Sequence, residues 1–138
     1  MKKLLFAPLV FLLFVKLGYC QSVDMAALRE KVRHNKNYIV YTNTIDETVK
    51  ASLNKEFSLN EVGAKVDKSK VGKLQTLQEF KDFYRKAGVK GGDRLAALQY
   101  KISYSLKALI RDIPELKKIP KAQFNELLKP PRRVVRTR

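Results

Sequence analysis

Cysteine occurs once, histidine once, and acids number 13 against 29 lysines and arginines. Each shortage removes a class of chemistry. Cys20 closes an apolar leader, so a chain cut after it holds no thiol, and disulfides, thiol catalysis and thiolate metal sites go together. His34, in RHNKN, stands among polar and basic neighbours and fits an exposed or capping role. Nucleophilic catalysis of the Ser–His–Asp kind needs a base against its hydroxyl, and no other imidazole exists to supply one. Zinc takes three or four ligands from Cys, His and carboxylates, and neither HExxH nor paired cysteines occur. No cofactor is implied.

Proline is missing between Pro8 and Pro114, and apolar–polar alternation of strand period is scarce. Together these absences predict an all-α fold: a small bundle of four to five helices with a central antiparallel helical hairpin. No internal repeat of useful period is found, and the length suits one domain of about 100 to 150 residues.

What is present begins with a leader. Lys2 and Lys3 precede LLFAPLVFLLFV and Lys16, the layout of a signal peptide. The stretch is shorter than the roughly 20 apolar residues a spanning helix needs, and Pro8 interrupts it. Two processing routes treat Cys20 differently. Cleavage after it finds small residues one and three positions before the cut, Cys20 and Gly18; lipidation at Cys20 prefers a small residue before the cysteine, where Tyr19 is bulky. The first route fits better, giving a signal peptide over 1–20 and an exported protein, periplasmic or secreted, with a lipoprotein anchored through Cys20 as the less favoured alternative. A single helical domain is then expected over 21–129 and a basic, flexible tail over 130–138. The leader carries Lys2, Lys3 and Lys16 and no acid, so its removal lowers the formal charge only from +16 to +13.

The clearest helix is DRLAALQYKISYSLKALIRDI, residues 93–113. At 100° per residue, Leu95, Leu98, Ile102, Leu106, Leu109 and Ile113 fall within about 80° of one another. Asp93 is placed as its N-cap, and Pro114 ends it. Upstream, QTLQEFKDFYRKAG puts Leu77, Phe80, Tyr84 and Ala87 on one face, with a Thr76–Glu79 capping box and Gly88 as a left-handed stop. The short linker 89–92 pairs the two helices antiparallel. Thr44–Glu47 and Ser58–Glu61 repeat the capping-box spacing, predicting helices over 45–57 and 59–66; Met25, Leu28 and Val32 mark an earlier one. NYIVYTNT is rich in β-formers, and its residues 38–43 are read as helix or irregular structure, a strand needing the Val134 and Val135 region as partner. PELKK and PKAQFNELLK each open on a proline suited to a first helical turn, and Phe124, Leu127 and Leu128 can dock the second piece.

Catalysis is not expected. Glu47, Glu61 and Glu79 are explained as capping residues, Asp93 as an N-cap and Asp82 by its spacing to Arg85 and Lys86, and hydrolytic work would require two acids facing each other that no spacing here suggests. DKSKVGKL matches a phosphate-binding loop only at Gly72 and Lys73, and GVKGGDR reads as a plain turn. No small-molecule substrate is evident. Surplus positive charge instead implies an anionic partner: acidic protein, lipid headgroup or another polyanion, including a membrane surface. Two candidate sites follow. Tyr100, Tyr104, Lys107 and Arg111 lie within about 60° on the long helix, opposite its leucine stripe, where phenols can stack and cations hold phosphates, the alternative being that the tyrosines pack on another helix while their hydroxyls reach solvent. Arg132, Arg133, Arg136 and Arg138 form a basic arm able to clamp phosphate or carboxylate groups. The alternative role is a structural or assembly component of an envelope complex, meeting a protein partner through apolar surface while charge serves solubility.

Overall fold

A computed structural model describes residues 23–130; the leader 1–20 and the tail arginines fall outside these. The described residues are helical, with no strand among them. Seven α-helices and one 3₁₀ turn replace the expected four to five: α1 (Met25–His34), α2 (Lys36–Leu53), α3 (Leu59–Lys65), α4 (Lys68–Val71), α5 (Leu77–Lys86), α6 (Gly92–Asp112), a 3₁₀ turn (Pro114–Lys117) and α7 (Lys121–Leu128).

Capping explains most boundaries. Asp24 accepts from the N–H groups of Ala26 and Ala27 to open α1. Asn35 ends α1 and starts α2, accepting from the Asn37 N–H at 2.8 Å, so a single extended residue separates the two helices. The NYIVYTNT segment is therefore helix. A helix starting at residue 45 is corrected: Thr44 sits inside α2, fully buried, and its hydroxyl donates to the Val40 carbonyl at 2.7 Å. Glu47 consequently caps nothing and pairs with Arg94 instead. At Ser58 the hydroxyl does accept from the Glu61 N–H, while the Glu61 carboxylate turns to Lys65. The Thr76–Glu79 capping box is complete in both directions. Asp93, however, is not the cap of α6. Gly91 holds that position in left-handed geometry, φ 69°, and Asp93 lies in the first turn. Pro120, likewise, stands one residue before α7 and not in its first turn.

Helix α6 is the axis of the molecule, packed by α2 on one side and α5 on another. Its buried arc is wider than the leucine stripe because Ala96, Ser105 and Ala108 are buried too, small enough to let neighbouring helices approach. Two apolar clusters lie along it. The first joins Leu95, Ala96 and Leu98 to Phe80 and Tyr84 of α5, Ala51 of α2, and Phe57, Val66 and Val89. The second joins Leu109 and Ile113 to Leu28 and Val32 of α1, Tyr38 of α2, Leu116, and Leu127 and Leu128 of α7.

Thr44, Thr48 and Ser105 are the buried polar side chains, and each hydroxyl donates to a carbonyl of its own helix, three or four residues back. None depends on the facing helix for satisfaction. Thr44→Val should therefore shift stability by about 1 kcal/mol or less, since the methyl replaces a hydroxyl without stranding a partner. A urea melt checks this, and a loss of several kcal/mol would show that the hydroxyl does more than satisfy itself.

Candidate anion-binding surface

Of the four residues singled out on the long helix, the structure gives Tyr100 a core role. Its ring meets Phe80 edge-on, centroids 6.1 Å apart at 68°, and it is half-buried against the first cluster. The helical wheel of α6 shows which arc is polar and aromatic, whereas α5 occupies part of that arc at its N-terminal end. Tyr104, one turn on, stacks obliquely on Tyr100 at 6.1 Å and is 60 % exposed. Lys107 donates to the Gln75 side-chain oxygen at 2.8 Å, using one of its three N–H donors. Arg111 lies 3.8 Å from the Asp112 carboxylate, beyond hydrogen-bond distance, and its side chain is exposed. A ring face, an ammonium and a guanidinium thus remain open toward solvent. The tail residues Arg132, Arg133, Arg136 and Arg138 lie outside the described residues.

The acids tell more than the bases. All thirteen lie among the described residues, and every one is engaged. Asp93 receives a two-pronged bond from Arg85, at 2.9 and 2.8 Å, which holds its carboxyl below the usual range and the guanidinium above its own. Glu79 is lowered by the N–H groups of Gln75 and Thr76, and Asp112 by the amides of Asn35 and Asn37. Lys65 lowers Glu61, and Lys31 lowers Glu115. Arg94 bridges Glu47 and Glu56, at 2.6 and 3.2 Å, with Lys101 3.9 Å from Glu47. Lys55, Lys73, Lys86 and Lys90 are exposed, and among the described residues none of them forms an ion pair within 4.0 Å.

Among the described residues no group of three His, Cys, Asp or Glu is arranged to hold a metal ion, and no helix is long and apolar enough to cross a membrane. His34 is exposed, with Nδ1 2.9 Å from the Glu30 carbonyl. Composition gave no sign of an open cleft of about 510 Å³ between the end of α2, the start of α3 and Lys90, because its lining comes from two separate turns. No known protein family, curated protein or solved structure matches this chain.

Proposed function

We propose that this is an exported, non-enzymatic basic protein that binds an anionic partner in the cell envelope or outside. One observation carries the reading: with all thirteen acids engaged, the surplus lysines and arginines have no internal counter-charge and must be neutralised by solvent ions or by a partner. The bundle built on an antiparallel α5–α6 pair is the rigid frame, and Tyr104, Lys107 and Arg111 with the arginines of the tail are the contact groups.

A polyanion bound this way releases counterions. Retention on heparin or duplex DNA should weaken linearly in log–log form with salt, with a slope of about −0.9 per phosphate neutralised on B-DNA. Lys107→Ala and Arg111→Ala should each lower the slope by about 1 with the helix content unchanged. Absence of binding at low salt, or binding indifferent to salt, removes the polyanion reading.

A second reading, an assembly component of an envelope complex, is favoured by the apolar side chains that α2 turns outward: Ile39, Val49 and Leu53 are 48, 48 and 76 % exposed. Under it, capture of a partner subunit is indifferent to loss of residues 130–138 and to Tyr104→Ala. Under the first reading both changes weaken anion binding.

A further inference from the structure

Two helices of this protein end in the same way, and only one ends with the residue that geometry prefers. At the close of α5, the Gly88 N–H donates to the Arg85 carbonyl and the Val89 N–H to the Tyr84 carbonyl, with Gly88 left-handed at φ 65°. That is the Schellman arrangement, and glycine is its usual left-handed residue. At the close of α2, the Lys55 N–H donates to the Ser52 carbonyl and the Glu56 N–H to the Ala51 carbonyl. The left-handed residue there is Lys55, at φ 60°, the one non-glycine with positive φ among the described residues. A side chain at that backbone conformation is strained. The helix dipole does not explain the choice, because Lys50 already meets it in the last turn of α2.

Lys55 lines the 510 Å³ cleft, and so does Lys90, from the turn that follows the glycine-capped end of α5. Both are exposed, and among the described residues neither forms an ion pair within 4.0 Å. Glu56 is committed to Arg94 at 3.2 Å, and Glu61, which itself lines the cleft, to Lys65 at 2.7 Å. Lys90 contributes to holding the Glu61 carboxyl low, through a backbone N–H and its charge, but the Lys65 bond dominates. The remaining polar lining is the hydroxyls of Ser52 and Ser58, the amide of Asn60 and the carboxylate of Glu61, which is paired with Lys65. Ser58 accepts from the Glu61 N–H, so its own O–H remains available to donate.

The geometry points to this cleft as a binding site for a phosphomonoester, with Lys55 and Lys90 as its two cations. With the one lining carboxylate, Glu61, already taken up by Lys65 and the Lys90 N–H, two ammoniums, two hydroxyls and an amide offer more donors than a carboxylate's two oxygens use, whereas a phosphate presents three acceptor oxygens and close to two negative charges. The cleft is also large for an inorganic ion alone, leaving room for the group the phosphate is attached to. Phe57 and Leu59 supply apolar lining, and Leu53, beside Ser52, is 76 % exposed. The phosphomonoester therefore comes either from a soluble metabolite or from a lipid headgroup. This site deepens the anion reading above and rests on it, but uses residues distinct from Tyr104, Lys107, Arg111 and the tail.

The test is an amide-resolved NMR titration of the full-length exported protein with inorganic phosphate and with glycerol phosphate, against chloride at matched ionic strength. Saturable shifts are expected over residues 52–61 and at Lys90. Lys90→Ala should weaken binding about tenfold, the loss of one charge-assisted contact. Lys55→Gly should weaken it similarly while raising Tm by about 2–5 °C, because the strain is relieved. A structural role for Lys55 predicts the opposite sign of the Tm change. Shifts scattered over the surface, or binding unaffected in both variants, overturn the site. Heparin retention measured on the same samples then says separately whether the general anion reading survives. Sedimentation with phosphatidylcholine vesicles, with and without phosphatidic acid, distinguishes the sources. Vesicle binding reduced by Leu53→Asn and Leu59→Asn, with soluble phosphate binding intact, identifies a lipid headgroup; no vesicle preference alongside glycerol phosphate binding identifies a soluble ligand.

Discussion

Gly91→Ala is expected to destabilise the protein by about 3–5 kcal/mol, combining a left-handed side-chain penalty with a collision in a packed turn. Gly91 has φ 69°, and a methyl built there would lie 2.0 Å from the Glu56 carbonyl oxygen and 3.3 Å from the Phe57 Cβ. The oxygen belongs to backbone, so no side chain can swing aside to relieve the contact. One strand of chain must move, and both are fixed: Gly91 starts α6, where its carbonyl accepts from the Leu95 N–H, and Phe57 is buried in the first cluster. Gly88 is the internal control. It is also left-handed, at φ 65°, yet a methyl there meets nothing within 4 Å, so Gly88→Ala should lose only about 1–2 kcal/mol. Urea melts of both variants, read through the midpoint at constant slope, measure the difference. Equal losses at the two glycines would show that the 56–91 contact yields easily.

This close approach was invisible in GVKGGDR, which reads as a plain turn whichever glycine touches something. What sequence does report is local. Thr76 with Glu79, Gly88 as a stop and Pro114 beyond α6 are short-range devices, and each stands where its spacing placed it. The same spacing at Thr44 and Glu47 misled because burial decided the matter. Thr44 is fully buried, and its hydroxyl bonds back along α2 when it could have capped a new helix. NYIVYTNT shows the same override, its β-formers absorbed into α2 as Tyr38 joins the second cluster. A visible cue existed at Asn35, which caps α2.

On the site, the limit was of another kind. A helical wheel says which arc of α6 is apolar, but not how many neighbours the helix has. Because α6 carries both α2 and α5, Tyr100 lies under Phe80 and only the C-terminal part of its arc stays open. The Asp93–Arg85 fork joins α6 to α5, and the Arg94 bridge joins α6 to Glu47 of α2 and to Glu56 in the turn beyond it, so no spacing rule announces them. The engagement of the acids is partly local, as at Asp24, Asp67 and Asp82, and partly a property of the fold, as at Glu47, Asp112 and Glu115. It turns a surplus of charge, legible as a number, into a statement about where counter-charge is lacking.

Leu109→Ala should cost about 2–5 kcal/mol, toward the upper end of that range, out of a total expected near 5–15 kcal/mol. Leu109 is fully buried where five elements converge: Leu28 and Val32 from α1, Tyr38 from α2, Ile113 of α6, Leu116 of the 3₁₀ turn, and Leu127 and Leu128 from α7. Filling the vacated volume would require several of these to shift together, so the cavity should persist. The loss should also be localised. Among the described residues helix α7 is held by this cluster and by the bond from the Tyr38 hydroxyl to the Lys129 carbonyl, and the Lys31–Glu115 pair is solvent-exposed and adds little to α1. Hydrogen exchange should therefore show α7 and then α1 losing protection first, while amides of α5 and the N-terminal half of α6 keep theirs. Leu95→Ala, an equally buried leucine in the first cluster, should reverse that order at a similar total loss. If both variants instead strip protection evenly from α5 and α7, the two clusters act as one cooperative core, linked through α2 and α6, and the separation along the central helix has no energetic meaning.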